Sequence, residues 1–176
     1  MVNVMRKEIN SLAFIFMIIV ISGIFGFLYE TLFYRIDLGY FVKRGTTFGP
    51  WIPIYAFGGL FIYLICNKLK DKPIFVFLVS MLVCSILEFI TGYLLFKYQN
   101  LRLWDYNIEI WNYGNIGGYI CLRSILFFAV SGLFLIYIVS PLILKFQQKL
   151  GNKKFNYVSL ILGFMFIFDF FINDII

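Results

Sequence analysis

Four charged side chains stand inside apolar runs or at their mouths: Glu30, Glu88, Asp169 and Arg123. Carboxylates in such places can bind a cation or a proton, or act as general acid and base. An arginine among them can hold an anionic group or balance the acids. Glu88 is flanked by Ile86, Leu87, Phe89 and Ile90, and Asp169 by Phe168, Phe170 and Phe171. Burying an ionised acid in a membrane span costs about 2.5–3.5 kcal/mol on insertion scales. Three such acids are tolerable if they face one another, pair with Arg123, hold a cation or keep a proton. Three acids against one arginine predict a bound cation or a retained proton. Each residue also has a structural alternative. Glu30 can snorkel to the interface, Glu88 and Asp169 can bond neighbouring helices together, and Arg123 can reach a headgroup phosphate.

The elements that position these residues are apolar helices. Of 176 residues, 62% are hydrophobic and only 14% charged, against roughly 25% charged in ordinary soluble domains. The fold class expected is all-α: a polytopic transmembrane bundle of about five spans forming one integral domain over residues 1–176. The spans run about Ser11 to Tyr34, Trp51 to Cys66, Pro73 to Tyr98, Tyr119 to Leu144 and Phe155 to Ile176. Spanning takes about 20 residues, so the second is short, and a re-entrant turn at Gly49-Pro50 is expected before it. Pro50 and Pro53 suit a helix entry, and Gly45 and Gly49 suit the turn. The run after Arg6 and Lys7 is too long for a signal peptide and reads as a retained span.

Counting lysine and arginine orients the chain. With the N-terminus cytoplasmic, the inner segments hold nine (Arg6, Lys7, Lys68, Lys70, Lys72, Lys145, Lys149, Lys153 and Lys154). The outer ones hold five (Arg35, Lys43, Arg44, Lys97 and Arg102). The expectation is a multi-pass bacterial cell-membrane protein with its N-terminus inside and C-terminus outside. Glu30, Glu88, Asp169 and Arg123 then share the outer half of the bilayer. So do the two long loops, Arg35 to Pro50 and Gln99 to Gly118. Glu30 and Glu88 each precede a glycine-bearing loop and a returning span, a faint parallel repeat.

Several classes are excluded or disfavoured. The net charge of +6 sits in short loops between apolar runs, which suits membrane lipid and not nucleic acid. There is no histidine, and Cys66, Cys84 and Cys121 lack ligand spacing, so no metal site and no cofactor is expected. There is no Walker A motif, so any use of ATP needs a separate ATPase subunit.

The pieces Tyr29-Glu30, Gly45…Gly49-Pro50…Pro53-Ile54-Tyr55…Gly58, Leu87-Glu88…Thr91-Gly92, Arg102-Leu103-Trp104-Asp105-Tyr106 and Gly118-Tyr119-Ile120-Cys121-Leu122 together resemble the ABC-transporter type IV, or CmpB-like, family of small bacterial membrane proteins. That resemblance implies a membrane component of a transporter. It adds Arg102, Trp104 and Asp105 to the binding candidates. It also marks Gly45, Gly49, Pro50, Pro53 and Tyr55 as a loop motif. No catalytic residue is assigned. Three readings stand: a transport component with a cation- or proton-linked site, an embedded enzyme acting on a lipid or lipid-linked substrate, and a non-catalytic membrane partner subunit. The small size predicts self-association or a partner.

Overall fold

The computed structural model describes residues 12–174. Arg6, Lys7 and Ser11, used above for orientation and for the first span, lie outside the described residues, as do Ile175 and Ile176. Among the described residues the chain is helical, with no strands. Helix α1 is Leu12–Leu38 and α2 is Pro53–Cys66, extended by a 3-10 turn at Asn67–Leu69. Helix α3 is Pro73–Gln99. Helix α4 is Leu122–Leu150 and α5 is Asn152–Asp174. Four of these helices are long and apolar enough to cross a membrane; α2 is the shorter one.

Sequence chemistry explains the ends. Pro53 and Pro73 occupy the first turns of α2 and α3, where a missing N–H costs nothing. Asn100 closes α3 in a left-handed conformation at φ 52°. At the start of α4, the Cys121 N–H donates to Ser124 Oγ at 3.2 Å, and the Ser124 hydroxyl donates to the Cys121 carbonyl at 2.9 Å. The fourth span therefore begins at Leu122 and not at Tyr119, which lies in the preceding turn. It also runs past Leu144, because Lys145 to Lys149 contains no helix breaker and Gly151 supplies the stop. Within α4, Pro141 lacks an N–H. The ladder widens just before it into a π-helical turn at Leu135–Val139.

Helix α1 lies between α5 and α2, while α2 also meets α3 and α4, and α3 packs along α4. The core is assembled from Phe14 and Ile18 of α1, Ile62 and Tyr63 of α2, Val76 and Cys84 of α3, Phe128 and Leu135 of α4, and Phe155 of α5. Small residues let the helices approach: a Cβ at Gly59 on α2 would overlap the Ser22 side chain on α1. Over its most apolar window α1 is 56% buried, against 22–28% for α3, α4 and α5, so α1 is the central helix.

The outer faces are apolar too. Leu78, Leu82, Ile86, Ile90 and Leu94 form one exposed stripe down α3 at four-residue spacing. In water each would forfeit about 1.5–3 kcal/mol of burial. Five of them rival the roughly 5–15 kcal/mol stability of a whole domain. The stripe is compatible with lipid and not with water.

The helices alternate in direction. The C-terminal ends of α1 and α3 therefore meet the N-terminal ends of α2 and α4, and the loops 39–52 and 100–121 both cap that end. The first loop dips into the bundle: the Ile52 N–H donates to the Gly23 carbonyl at 3.1 Å, and Trp51 and Ile52 are buried. Gly23 lies four turns below the end of α1, so this stretch is re-entrant before α2 begins.

Candidate functional site

Four helices and one loop enclose a charged pocket. It is lined by Tyr29, Glu30, Phe33 and Tyr34 of α1, Ile54 and Tyr55 of α2, Glu88 of α3, Trp104, Tyr106 and Glu109 of the second loop, and Arg123 and Phe128 of α4. Its volume is about 20 Å³, which is room for about one water molecule. Tyr55 reaches it because Gly26 on α1 has no side chain; a Cβ there would collide with the Tyr55 ring.

Two of the three acids have guanidinium partners. Arg44, on the first loop, holds Glu30 at 2.9 Å, donates to the Leu103 carbonyl at 3.1 Å and lies 3.7 Å over the Tyr34 ring. Burial opposes the Arg44 charge, but the Glu30 carboxylate outweighs it and holds Arg44 above its usual value. Arg44 thereby ties α1 and the two loops together. Arg123 pairs with Glu109 at 2.6 Å and lies 3.8 Å over Phe33. The Tyr34 hydroxyl donates to the other oxygen of Glu109.

Glu88 differs. It is 4% exposed and, among the described residues, has no ion pair. The Tyr106 hydroxyl donates to its Oε1 at 2.5 Å, while its Oε2 is buried with no protein donor. Burial pushes the Tyr106 phenol well above its usual value, so it stays a donor. Arg123 Nε is also buried without a protein acceptor.

The remaining candidates divide. Trp104 lines the pocket and donates from Nε1 to the Tyr119 carbonyl at 2.9 Å. Arg102 and Asp105 pair with each other at 3.1 Å, and Asp105 also takes the Asn107 N–H and side-chain amide. Their contacts fold the loop that carries Trp104 and Tyr106. Arg102 also lies over Phe96 and Tyr119.

Asp169 corrects the expectation of one four-residue cluster. Its carboxylate accepts the Phe48 N–H at 2.9 Å, the Gly49 N–H at 2.7 Å, the Trp51 indole N–H at 2.8 Å and the Asn173 amide at 2.7 Å. It does not line the charged pocket. The reason is lateral. Helix α5 packs chiefly along α1 and meets α4 at its Ser140–Leu150 end, so a shared depth does not bring Asp169 to Glu88. Asp169 pins the re-entrant loop instead. Of the loop motif, Gly45 turns at φ +78° and Gly49 offers its N–H to Asp169. Pro53 opens α2, Tyr55 lines the pocket, and Pro50 is exposed.

Glu109, Arg44 and Tyr106 were not among the residues expected from sequence. Glu109 left one signal: an acid between Ile108 and Ile110, beside Trp111, in a segment otherwise rich in aromatics and amides. Among the described residues no group of three or more metal-ligating side chains converges.

A bundle of apolar helices around a closed charged pocket, with lipid-suited outer faces, defines a polytopic helical membrane protein. The family described as "Putative ABC-transporter type IV" matches residues 14–173, and the chain belongs to that family. No curated protein and no solved structure matches.

Proposed function

We propose that this chain is the membrane component of an ATP-driven transporter, and that the charged pocket is its working site. One observation carries the reading. Three spans and a loop bring three carboxylates and Arg123 into one pocket, while Arg44 ties the first loop to Glu30 in its wall. Such a convergence of ionisable groups inside a membrane bundle is expensive unless it serves an ion or substrate path. The family's name supports the transporter half of the proposal, and makes an associated ATPase the expected partner.

The opposite end of the bundle suits that partner. Lys68, Lys70 and Lys72 beside the α2–α3 turn gather there with Lys145 and Lys149 at the end of α4 and Lys153 and Lys154 at the start of α5, and among the described residues of these stretches Asp71 is the one acid. Lysine of this density supports a cytoplasmic placement. The pocket then belongs to the outer half of the bilayer.

The test is native mass spectrometry of the tagged chain extracted gently from its own membrane. The expected result is a bound subunit carrying a Walker A motif, released when Lys145, Lys149, Lys153 and Lys154 are changed to glutamate. A chain that emerges alone, with full occupancy of its own membrane and no ATPase, overturns the transporter reading.

A further inference from the structure

The pocket's charges do not balance. Glu30, Glu88 and Glu109 face Arg44 and Arg123, which leaves one negative charge. Both arginines are committed elsewhere, so the unmatched charge falls on Glu88. The groups facing Glu88 come from every neighbouring element. They are Tyr29, Glu30 and Tyr34 on α1, Tyr55 on α2, Tyr106 and Glu109 on the second loop, and Arg123 on α4. Cys84 lies one turn below on its own helix. None of them forms an ion pair with Glu88. Its Oε2 stays buried with no donor, in about 20 Å³ of space.

We propose that Glu88 is a proton-binding site: one exchangeable proton on Oε2 completes the charge of the pocket. This rests on the transport reading and deepens it by naming the ion that the pocket binds. A hydronium ion at the pocket mouth loses one O–H bond as the carboxyl O–H forms, leaving water, and release of the proton reverses the exchange. The geometry favours a proton over a metal cation. A metal needs several oxygens converging on it, and among the described residues no group of three or more metal-ligating side chains converges. The other unpartnered polar group in the pocket wall, Arg123 Nε–H, is a donor that would repel a metal ion. The volume excludes an organic ammonium. A proton needs no volume, and a water between Arg123 Nε and Glu88 Oε2 would satisfy both as a relay.

The experiment is infrared difference spectroscopy of the full chain in lipid nanodiscs. It is run in light and heavy water, from acid to alkaline pH, with sodium present or replaced by choline. A protonated-carboxyl band at neutral pH is expected. It should shift in heavy water, ignore sodium and vanish in Glu88→Gln. A band that survives in Glu88→Gln overturns the proposal, as does one that sodium abolishes at neutral pH. Should Glu88→Gln fail to fold, Tyr106→Phe keeps the carboxyl and removes the donor on Oε1. The band then moves if it belongs to Glu88, and an unmoved band overturns the assignment. The spectrum needs no ATPase, so this test and the mass-spectrometric one fail independently.

Discussion

Asp169 and Glu88 look alike in sequence, each a lone acid among phenylalanines, leucines and isoleucines in a long apolar helix. Both are buried, at 8% and 4% exposed. Their surroundings are opposite. Asp169 collects four donors, two of them backbone amides of the re-entrant loop. Glu88 has one hydrogen bond, from Tyr106, with the Ser124 hydroxyl nearby, and its second oxygen is left with no donor in hydrogen-bond geometry. Burial of a carboxylate therefore does not by itself mark a working site. A saturated acid is a fastener, and an under-satisfied one beside a cavity is poised to take a ligand.

The sharpest way to break the contrast is to remove the fastener. Asp169→Ala leaves two backbone N–H groups, the Trp51 indole and the Asn173 amide without their acceptor. At about 1–3 kcal/mol for each stranded donor, softened by relaxation of the loop, the expected loss is about 4 kcal/mol. Unfolding in detergent measures it. Hydrogen exchange localises it, with faster exchange expected at Phe48 and Gly49. A loss under about 1 kcal/mol would erase the distinction between the two acids.

Next in size is Arg123→Met. It strands the Glu109 carboxylate, 6% exposed, with only the Tyr34 hydroxyl. Breaking a buried pair from one side costs about 3 kcal/mol. Adding Glu109→Gln should recover more than half of that, because the stranded charge goes with it. Additivity in the double-mutant cycle would mean that the two side chains are not coupled.

The sequence carried the architecture well and the site only partly. Five apolar runs, Pro53 and Pro73 at helix entries, and the glycine turn before α2 all act through local rules: span length, a missing N–H, a missing Cβ. The depth of Glu30, Glu88 and Arg123 was legible for the same reason, since helical rise is a constant. Lateral position is not local. Which helix neighbours which depends on packing of surfaces such as Gly59 on Ser22 and Gly26 under Tyr55, so Asp169 was placed at the right level on the wrong side. Glu109 was hidden by its loop. A polar residue in a connection ordinarily faces solvent, and only the fold turns this one inward onto Arg123. Arg44 was counted for orientation alone, because its partner, Glu30, lies fourteen residues away across a turn.

A smaller effect tests the single donor to Glu88. Tyr106→Phe removes the hydroxyl at 2.5 Å from Oε1 and keeps the ring beside Arg123. The expected loss is about 1 kcal/mol, the size of one hydrogen bond. Hydrogen exchange in the loop should stay near that of the unaltered chain, because the Tyr106 N–H still donates to the Gly118 carbonyl at 3.1 Å.

The smallest stability effect is expected at the residue with the largest functional one. Glu88→Gln replaces a neutral carboxyl group by a neutral amide of nearly the same shape. It retains an acceptor for the Tyr106 hydroxyl, so stability in acid, where the unfolded chain also keeps its proton, should stay within about 1 kcal/mol of the unaltered chain. What changes is the response to pH. In the unaltered chain the fold holds a proton that the unfolded chain gives up more readily. Raising the pH above the ordinary carboxyl range therefore favours the unfolded side, and stability should fall until the folded chain also releases its proton. The glutamine variant has no proton to lose at this position, and that part of the slope should vanish. Parallel slopes in the two proteins would mean that Glu88 is already ionised in the folded bundle. It would then have to share the Arg123 charge, and the contrast with Asp169 would be one of partners alone.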